Sequence, residues 1–260
     1  MVALCASAAL DGLAHPLARP LTQNIHRLAR PVDRQLRHMY VTRIVAIRHG
    51  ETAWNAAHRL QGHMNIPLND QGRAQARAAA QALTDDGSDG SAIAAVYASD
   101  LARAFETGRA VAEASHAPIT AVRDLRERSF GDWEGRSYAD LSVEFPDQAE
   151  RWRKRDPEWS PPGAAENLLQ FRERISRTVQ DLAARHLGDQ IVIVTHGGVL
   201  DALYRLAAGL DIQAPRTWQL GNAAINRLLW TPEGGLTLVG WGDARHLEHA
   251  LNLEIGDDAR

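Results

Sequence analysis

Cysteine is nearly missing from this sequence, with Cys5 the only one in 260 residues. A lone thiol excludes an intramolecular disulfide framework and fits a reducing, cytoplasmic setting. None of the eleven histidines falls into a zinc-type ligand spacing, which leaves Arg, His and carboxylates to carry any chemistry, without a Cys-held metal. Also lacking is an apolar run long enough to span a bilayer, so a soluble chain with no membrane partner is expected. Charge of one sign is not in excess either: 29 basic against 32 acidic residues give −3 with histidine neutral. That balance argues against nucleic acid as a partner, which would need a basic stripe.

What the chain does contain is an alternation of short β-branched runs and amphipathic stretches, which argues for one α/β domain. Residues 1–38 differ in texture, with scattered Arg and His, Pro16, Pro20 and Pro31, and few acids. We read them as an extension, disordered or arising from a mis-called start, with Met39 the natural beginning of a catalytic domain over 39–246. Residues 247–260 read as a charged C-terminal tail. Buried strands are expected over 44–47, 93–98 and 190–194, a short one over 119–122, and a hairpin from 224–230 and 236–241 around Pro232-Glu233-Gly234-Gly235. Helices are expected from Asp70 to about Asp85, from an Asp100 cap to about Ala114, and from about Glu166 to His186, where Leu168, Phe171, Ile175, Val179 and Leu182 recur at helical spacing. The string Phe130 to Gly135 is too broken for regular structure. Ser137 to Trp152 suits short helices, and Asp156 to Gly163 is a Pro-rich surface loop.

Two of the strands end alike. Ile44 to Ile47 runs into Arg48-His49-Gly50-Glu51-Thr52-Ala53-Trp54-Asn55, and Gln190 to Val194 into Thr195-His196-Gly197-Gly198. Strand ends of an open α/β sheet are where ligands bind. Arginine beside a presented histidine suits an anion, and the helix opening after His196 offers free N–H groups to one. Phosphoryl transfer needs a nucleophile, positive charge and a proton source. His49 can attack as a neutral imidazole and carry the phosphoryl group. Arg48, Arg103 and His196 can supply the charge. Glu127 can protonate the leaving alcohol and then activate water. Taken singly, Arg103 reads as a solvated helix residue and Glu127 as a surface acid; the set of five carries the reading. Glu51 and Thr52 serve equally well as loop caps or as phosphate contacts. Trp54 is assigned to core packing, and His58, His63, His116, His186 and His246 to the surface or to a supporting layer.

These residues resemble a known pattern. Arg48-His49-Gly50-Glu51-Thr52 with Trp54-Asn55, Gln61-Gly62 and Pro67-Leu68, then Ser99 to Ala104, Leu125-Arg126-Glu127 and Thr195-His196-Gly197-Gly198, are similar in order and spacing to the signature of the histidine phosphatase (phosphoglycerate-mutase-like) superfamily. Asn65 and the segment Gly163 to Asn167 depart from it, away from the core pocket. The resemblance implies a mixed, largely parallel sheet with helices on both faces and no cofactor. It implies His49 as the phosphohistidine, Arg48, Arg103 and His196 around the phosphate, and Glu127 as proton donor, with Asn55, Gln61 and Gly197 lining the same pocket. The expected partner is a small phosphorylated metabolite, and a homodimer is compatible with the reading. The compact spacing from Glu127 to His196 and the run Arg128 to Gly135 favour a phosphatase; a phosphoglycerate mutase and a non-catalytic phosphoester-binding module are the alternatives.

Overall fold

The computed structural model describes residues 41–86 and 92–248. The extension expected over 1–38, the stretch 87–91 and the tail from 249 onward lie outside the described residues. Six strands, β1 (Thr42–Arg48), β2 (Ile93–Ala98), β3 (Ile119–Ala121), β4 (Gln190–Thr195), β5 (Ile225–Thr231) and β6 (Gly235–Asp243), form one sheet in the order β3-β2-β4-β1-β5-β6. The first four are mutually parallel, while β5 runs antiparallel to both β1 and β6. Helices α1 (Ala53–Ala56), α2 (Asp70–Asp86), α3 (Ala102–Ser115), α4 (Tyr138–Glu144), α5 (Pro146–Arg153), α6 (Leu168–Ala184) and α7 (Gly197–Ala207) connect and cover it.

Both faces of the sheet are buried, which is why its central strands read as unbroken apolar runs. Side chains alternate along β1 and β4: Ile44, Ala46, Ile191 and Ile193 meet α6 and α7, and Val45, Ile47, Val192 and Val194 meet α2 and α3. Each fully buried aliphatic side chain of this kind contributes about 1.5–3 kcal/mol. Asn167 caps α6 through a reciprocal pair with Gln170, and the helix then buries Phe171, Ile175, Val179 and Leu182 on one stripe. The expected mixed, largely parallel sheet with helices on both faces is what the chain forms. No described helix is long and apolar enough to cross a membrane.

Three local expectations are corrected. Asp100 does not cap α3: its carboxylate is held by two bonds of 2.7 Å from Arg126, and the charge-assisted fork outcompetes a neutral cap. The Ala102 N–H donates instead to Asn65 Oδ1 at 2.7 Å, so Asn65 supplies the helix end from another loop. The segment Asp156 to Gly163 is a loop but not a wholly surface one, because Trp159 and Pro161 are buried and Trp159 packs with Phe130, Trp133 and Leu141. Within the broken string before α4, Gly131–Trp133 makes a single 3₁₀ turn that seats Trp133 in that cluster.

Candidate active site

In the parallel pair β1 and β4, Arg48 stands opposite Thr195. His49 and His196, one residue beyond each, therefore emerge side by side at the carboxyl edge, their ring centroids 5.2 Å apart. A cavity of about 1030 Å³ opens there, lined at this end by Arg48, His49, Asn55, Gln61, Arg103 and Glu127. The structure thus brings together the sequence-predicted residues, with Gly197 also on the wall.

His49 is 3% exposed, and its Nδ1 lies 2.7 Å from the Gly50 carbonyl. A carbonyl can only accept, so Nδ1 carries the hydrogen and Nε2 keeps its lone pair. Burial, reinforced by Arg103 and Arg48, holds the His49 pKa well below its ordinary value, so the ring is neutral at neutral pH. The loop behind it is fixed by backbone contacts: Gly50 N–H donates to Thr107 on α3, and Asn222 donates to the His49 carbonyl at 2.9 Å. A Cβ on Gly50 would fall 2.2 Å from the Gly72 carbonyl oxygen, so only glycine lets the loop pass the start of α2.

His196 is wholly buried and caps α7 by position, with its Nε2 2.9 Å from Ser99 Oγ and its Nδ1 without a partner among the described residues. Burial first, then Arg103, His49 and Arg48, hold its pKa well below the ordinary value too. Arg48 donates to the Leu220 carbonyl, and Arg103 to those of Met64 and Gly62. Burial lowers the Arg103 pKa to about 10, leaving it a cation at neutral pH. The Nε atoms of both arginines and Gln61 Oε1 are buried without hydrogen-bond partners. Unpaired polar groups are costly and uncommon in folded interiors, and their gathering at one cavity end marks a place built for a polar ligand. Among the described residues, no group of three or more His, Cys, Asp or Glu side chains stands where it could hold a metal ion.

Glu127 occupies the opening of α7. Its carboxylate accepts from the N–H groups of Gly198 and Arg128, both at 2.8 Å. The helix N-terminus expected to receive an anion thus holds the chain's own carboxylate. A Cβ at Gly198 would lie 2.2 Å from Glu127 Oε1, so this approach requires glycine. The Glu127 carbonyl is fixed by His63 at 2.8 Å, and Arg174 on α6, paired with Glu166, donates to the carbonyls of Asp124 and Arg126. Asn55 and Thr52 form a capping box at α1, which turns the Asn55 oxygen toward the backbone and resolves the role of Thr52 as a cap. Trp54 corrects the sequence expectation: α1 buries no residue, and Trp54 lines the cavity instead of the core. Sequence reasoning missed Ser99, Thr107, Asn222, Gly198 and Arg174 as supports. Only Ser99 and Gly198, lying inside quoted motifs, left any signal.

A family model described as the histidine phosphatase superfamily (branch 1) matches residues 44–244. Phosphoglycerate mutase-like protein 4 of Arabidopsis thaliana is 36% identical over 214 residues, covering 82% of this chain and 90% of that protein. The metal-independent phosphoserine phosphatase of the same plant is 34% identical, with 84% and 88% covered. A mycobacterial glucosyl-3-phosphoglycerate phosphatase, solved in complex with VO3, superposes with a TM-score of 0.67 at 28% identity over 78% of this chain and 99% of its own.

Proposed function

Because the chain belongs to the histidine phosphatase superfamily and is a phosphoric monoester hydrolase, we propose that it hydrolyses small phosphomonoesters through a phosphohistidine on His49 Nε2. The observation that carries this reading is the neutral His49 ring, its Nδ1–H fixed on the Gly50 carbonyl, set in a cavity with the part-buried Arg48, the buried Arg103 and a carboxylate on its wall. Nε2 attacks phosphorus while the bond to the ester oxygen breaks, and Glu127 gives its proton to the departing alkoxide. Water then attacks the phosphohistidine, Glu127 takes its proton, and phosphate leaves with His49 restored. Arg48, Arg103 and His196 hold the charge on the non-bridging oxygens; each preorganised donor of this kind is worth about 10²–10³ in turnover.

Hydrolysis is favoured over a mutase reaction by the open mouth of the cavity, where His58, Arg59 and Arg216 are exposed and water has access to the phosphorylated ring. The test is p-nitrophenyl phosphate turnover together with phosphoryl trapping. An acid-labile, base-stable label that disappears in His49→Gln is expected. Rapid bisphosphoglycerate-dependent interconversion of phosphoglycerates with negligible hydrolysis would overturn the phosphatase reading, and normal turnover by His49→Gln would overturn the covalent route.

A further inference from the structure

Residues 61–65 form a tight turn in which each residue serves the site. The Met64 N–H closes it on the Gln61 carbonyl at 2.9 Å, with Gly62 at φ +48°. Gln61 lines the cavity. The Gly62 carbonyl accepts from Arg103 Nη2 at 2.8 Å and the Met64 carbonyl from Nη1 at 2.7 Å, so the turn takes both ends of the guanidinium. The His63 ring holds the Glu127 carbonyl, and Asn65 holds the first N–H of α3. Arg103 is 1% exposed, and its Nε has no partner among the described residues. A guanidinium is planar and rigid, so two carbonyls fix the plane in which its remaining donors lie. Where this turn sits therefore decides where Arg103 aims.

The turn is held from outside by a carboxylate with no part in the proposed chemistry. Glu134 follows the 3₁₀ turn Gly131–Trp133, and its Oε1 accepts from the His63 N–H at 2.9 Å and from the Phe130 N–H at 3.1 Å. One oxygen thus ties the turn to the cluster of Phe130, Trp133 and Trp159. On either side of it the backbones are joined as well: Gly135 N–H donates to the Leu60 carbonyl at 2.7 Å, and Leu60 N–H to the Arg136 carbonyl at 2.9 Å. Gly62 packs directly on the carboxylate, and a Cβ there would overlap it. We propose that Glu134 is a positioning residue for Arg103, acting through the Gln61–Met64 turn to aim the guanidinium at the phosphate. This rests on the reading that Arg103 holds the phosphate. The role needs the place of one oxygen rather than its charge, because both donors are neutral backbone N–H groups and both meet Oε1.

The test is kcat/KM of the full-length protein for p-nitrophenyl phosphate, which covers only the steps up to phosphohistidine formation. Its leaving group needs no proton, so the contact of His63 with Glu127 does not enter. Glu134→Gln keeps an oxygen at the same reach and is expected to stay within about threefold of the unsubstituted protein. Glu134→Asp keeps the charge but draws the oxygens back by one methylene, and is expected to lose about ten- to hundredfold, the scale of a misplacement of about 1 Å. Arg103→Ala should lose about 10²–10³. Adding Glu134→Asp to it should cost less than about threefold more, because residues that act as a unit do not add. An active Asp variant beside an impaired Gln variant would show that charge is what matters and overturn the proposal. So would full additivity in the double variant, the mark of general loosening, or an unchanged kcat/KM in Glu134→Asp. Those three outcomes overturn the inference alone, whereas near-normal kcat/KM in Arg103→Ala by itself overturns the phosphate reading and the inference with it.

Discussion

The carboxyl ends of β1 and β4 carry the same local pattern, a histidine followed by glycine, on neighbouring parallel strands, yet the fold gives the two histidines different surroundings. His49 stands on the cavity wall with Nδ1 tied to its own loop, which frees Nε2 toward the ligand. His196 is wholly enclosed at the start of α7, tied through Nε2 to Ser99 on the β2 side, with Nδ1 unpaired among the described residues. Which nitrogen is held decides which one can act. The glycines differ as well. Gly50 lets the first loop pass α2, whereas Gly198 lets Glu127 close on the second. On the proposed mechanism, one strand end attacks, and the other holds charge and places the proton donor.

The strongest way to break this contrast is to remove each ring in turn. His49→Ala is expected to lower p-nitrophenyl phosphate turnover to the uncatalysed background and to abolish the phosphoryl label. His196→Ala should slow turnover by about 10²–10³ while the label still forms, since only a charge-stabilising donor is lost. Equal, label-free loss in both would put the two histidines in the same role. Next comes Gly198→Ala, whose methyl group displaces the Glu127 carboxylate. General acid catalysis is worth about 10²–10⁴, so kcat should drop markedly for alkyl phosphates and far less for p-nitrophenyl phosphate, whose leaving group needs no proton. A uniform drop across both ester types would show that Gly198 serves something other than proton transfer.

Ser99→Ala should have a smaller effect, about five- to tenfold on kcat, because one hydrogen bond that orients His196 is removed while the ring stays packed. An unchanged kcat would mean that packing alone orients the ring. The smallest expected effect is on stability. Both rings are buried with pKa values held well below 6.5, whereas in the unfolded chain they titrate near 6.5. The unfolded state therefore binds more protons below that pH. The stability from keeping the rings neutral is complete above 6.5 and lost progressively as pH falls beneath it. A Tm that declines from neutral pH toward about pH 5, with a shallower decline in His196→Asn, is expected. A Tm profile with the same slope in that variant would remove His196 from the balance.

Much of the site could be read from the chain because its parts sit at the ends of regular elements. A buried strand announces itself by composition, and the residue after it must emerge at the sheet edge, so His49 and His196 were legible as a pair. Arg103 and Glu127 became legible through order and spacing. The supports were not. Asn222 reaches the His49 carbonyl across 173 positions, and Arg174 fixes the Glu127 segment from α6, 47 positions away; neither stands out in its own neighbourhood. The Asp100 cap failed for a related reason, since a local signal was overridden by a guanidinium 26 residues on. Trp54 failed because hydrophobicity predicts removal from water but not which surface supplies the cover.

The sequence by itself determined the α/β alternation, the two histidine-bearing strand ends and the inventory of charge and acid, because these follow from local pattern and from the order of motifs along the chain. Only the tertiary structure decided that β1 and β4 are adjacent and in register, which ring nitrogen each histidine keeps free, that the opening of α7 holds Glu127, and that eight arginines from distant segments line one cavity. Hydrogen-bond pairing and long-range charge depend on which distant segments the fold brings within a few ångströms, and no local stretch of sequence contains that distance.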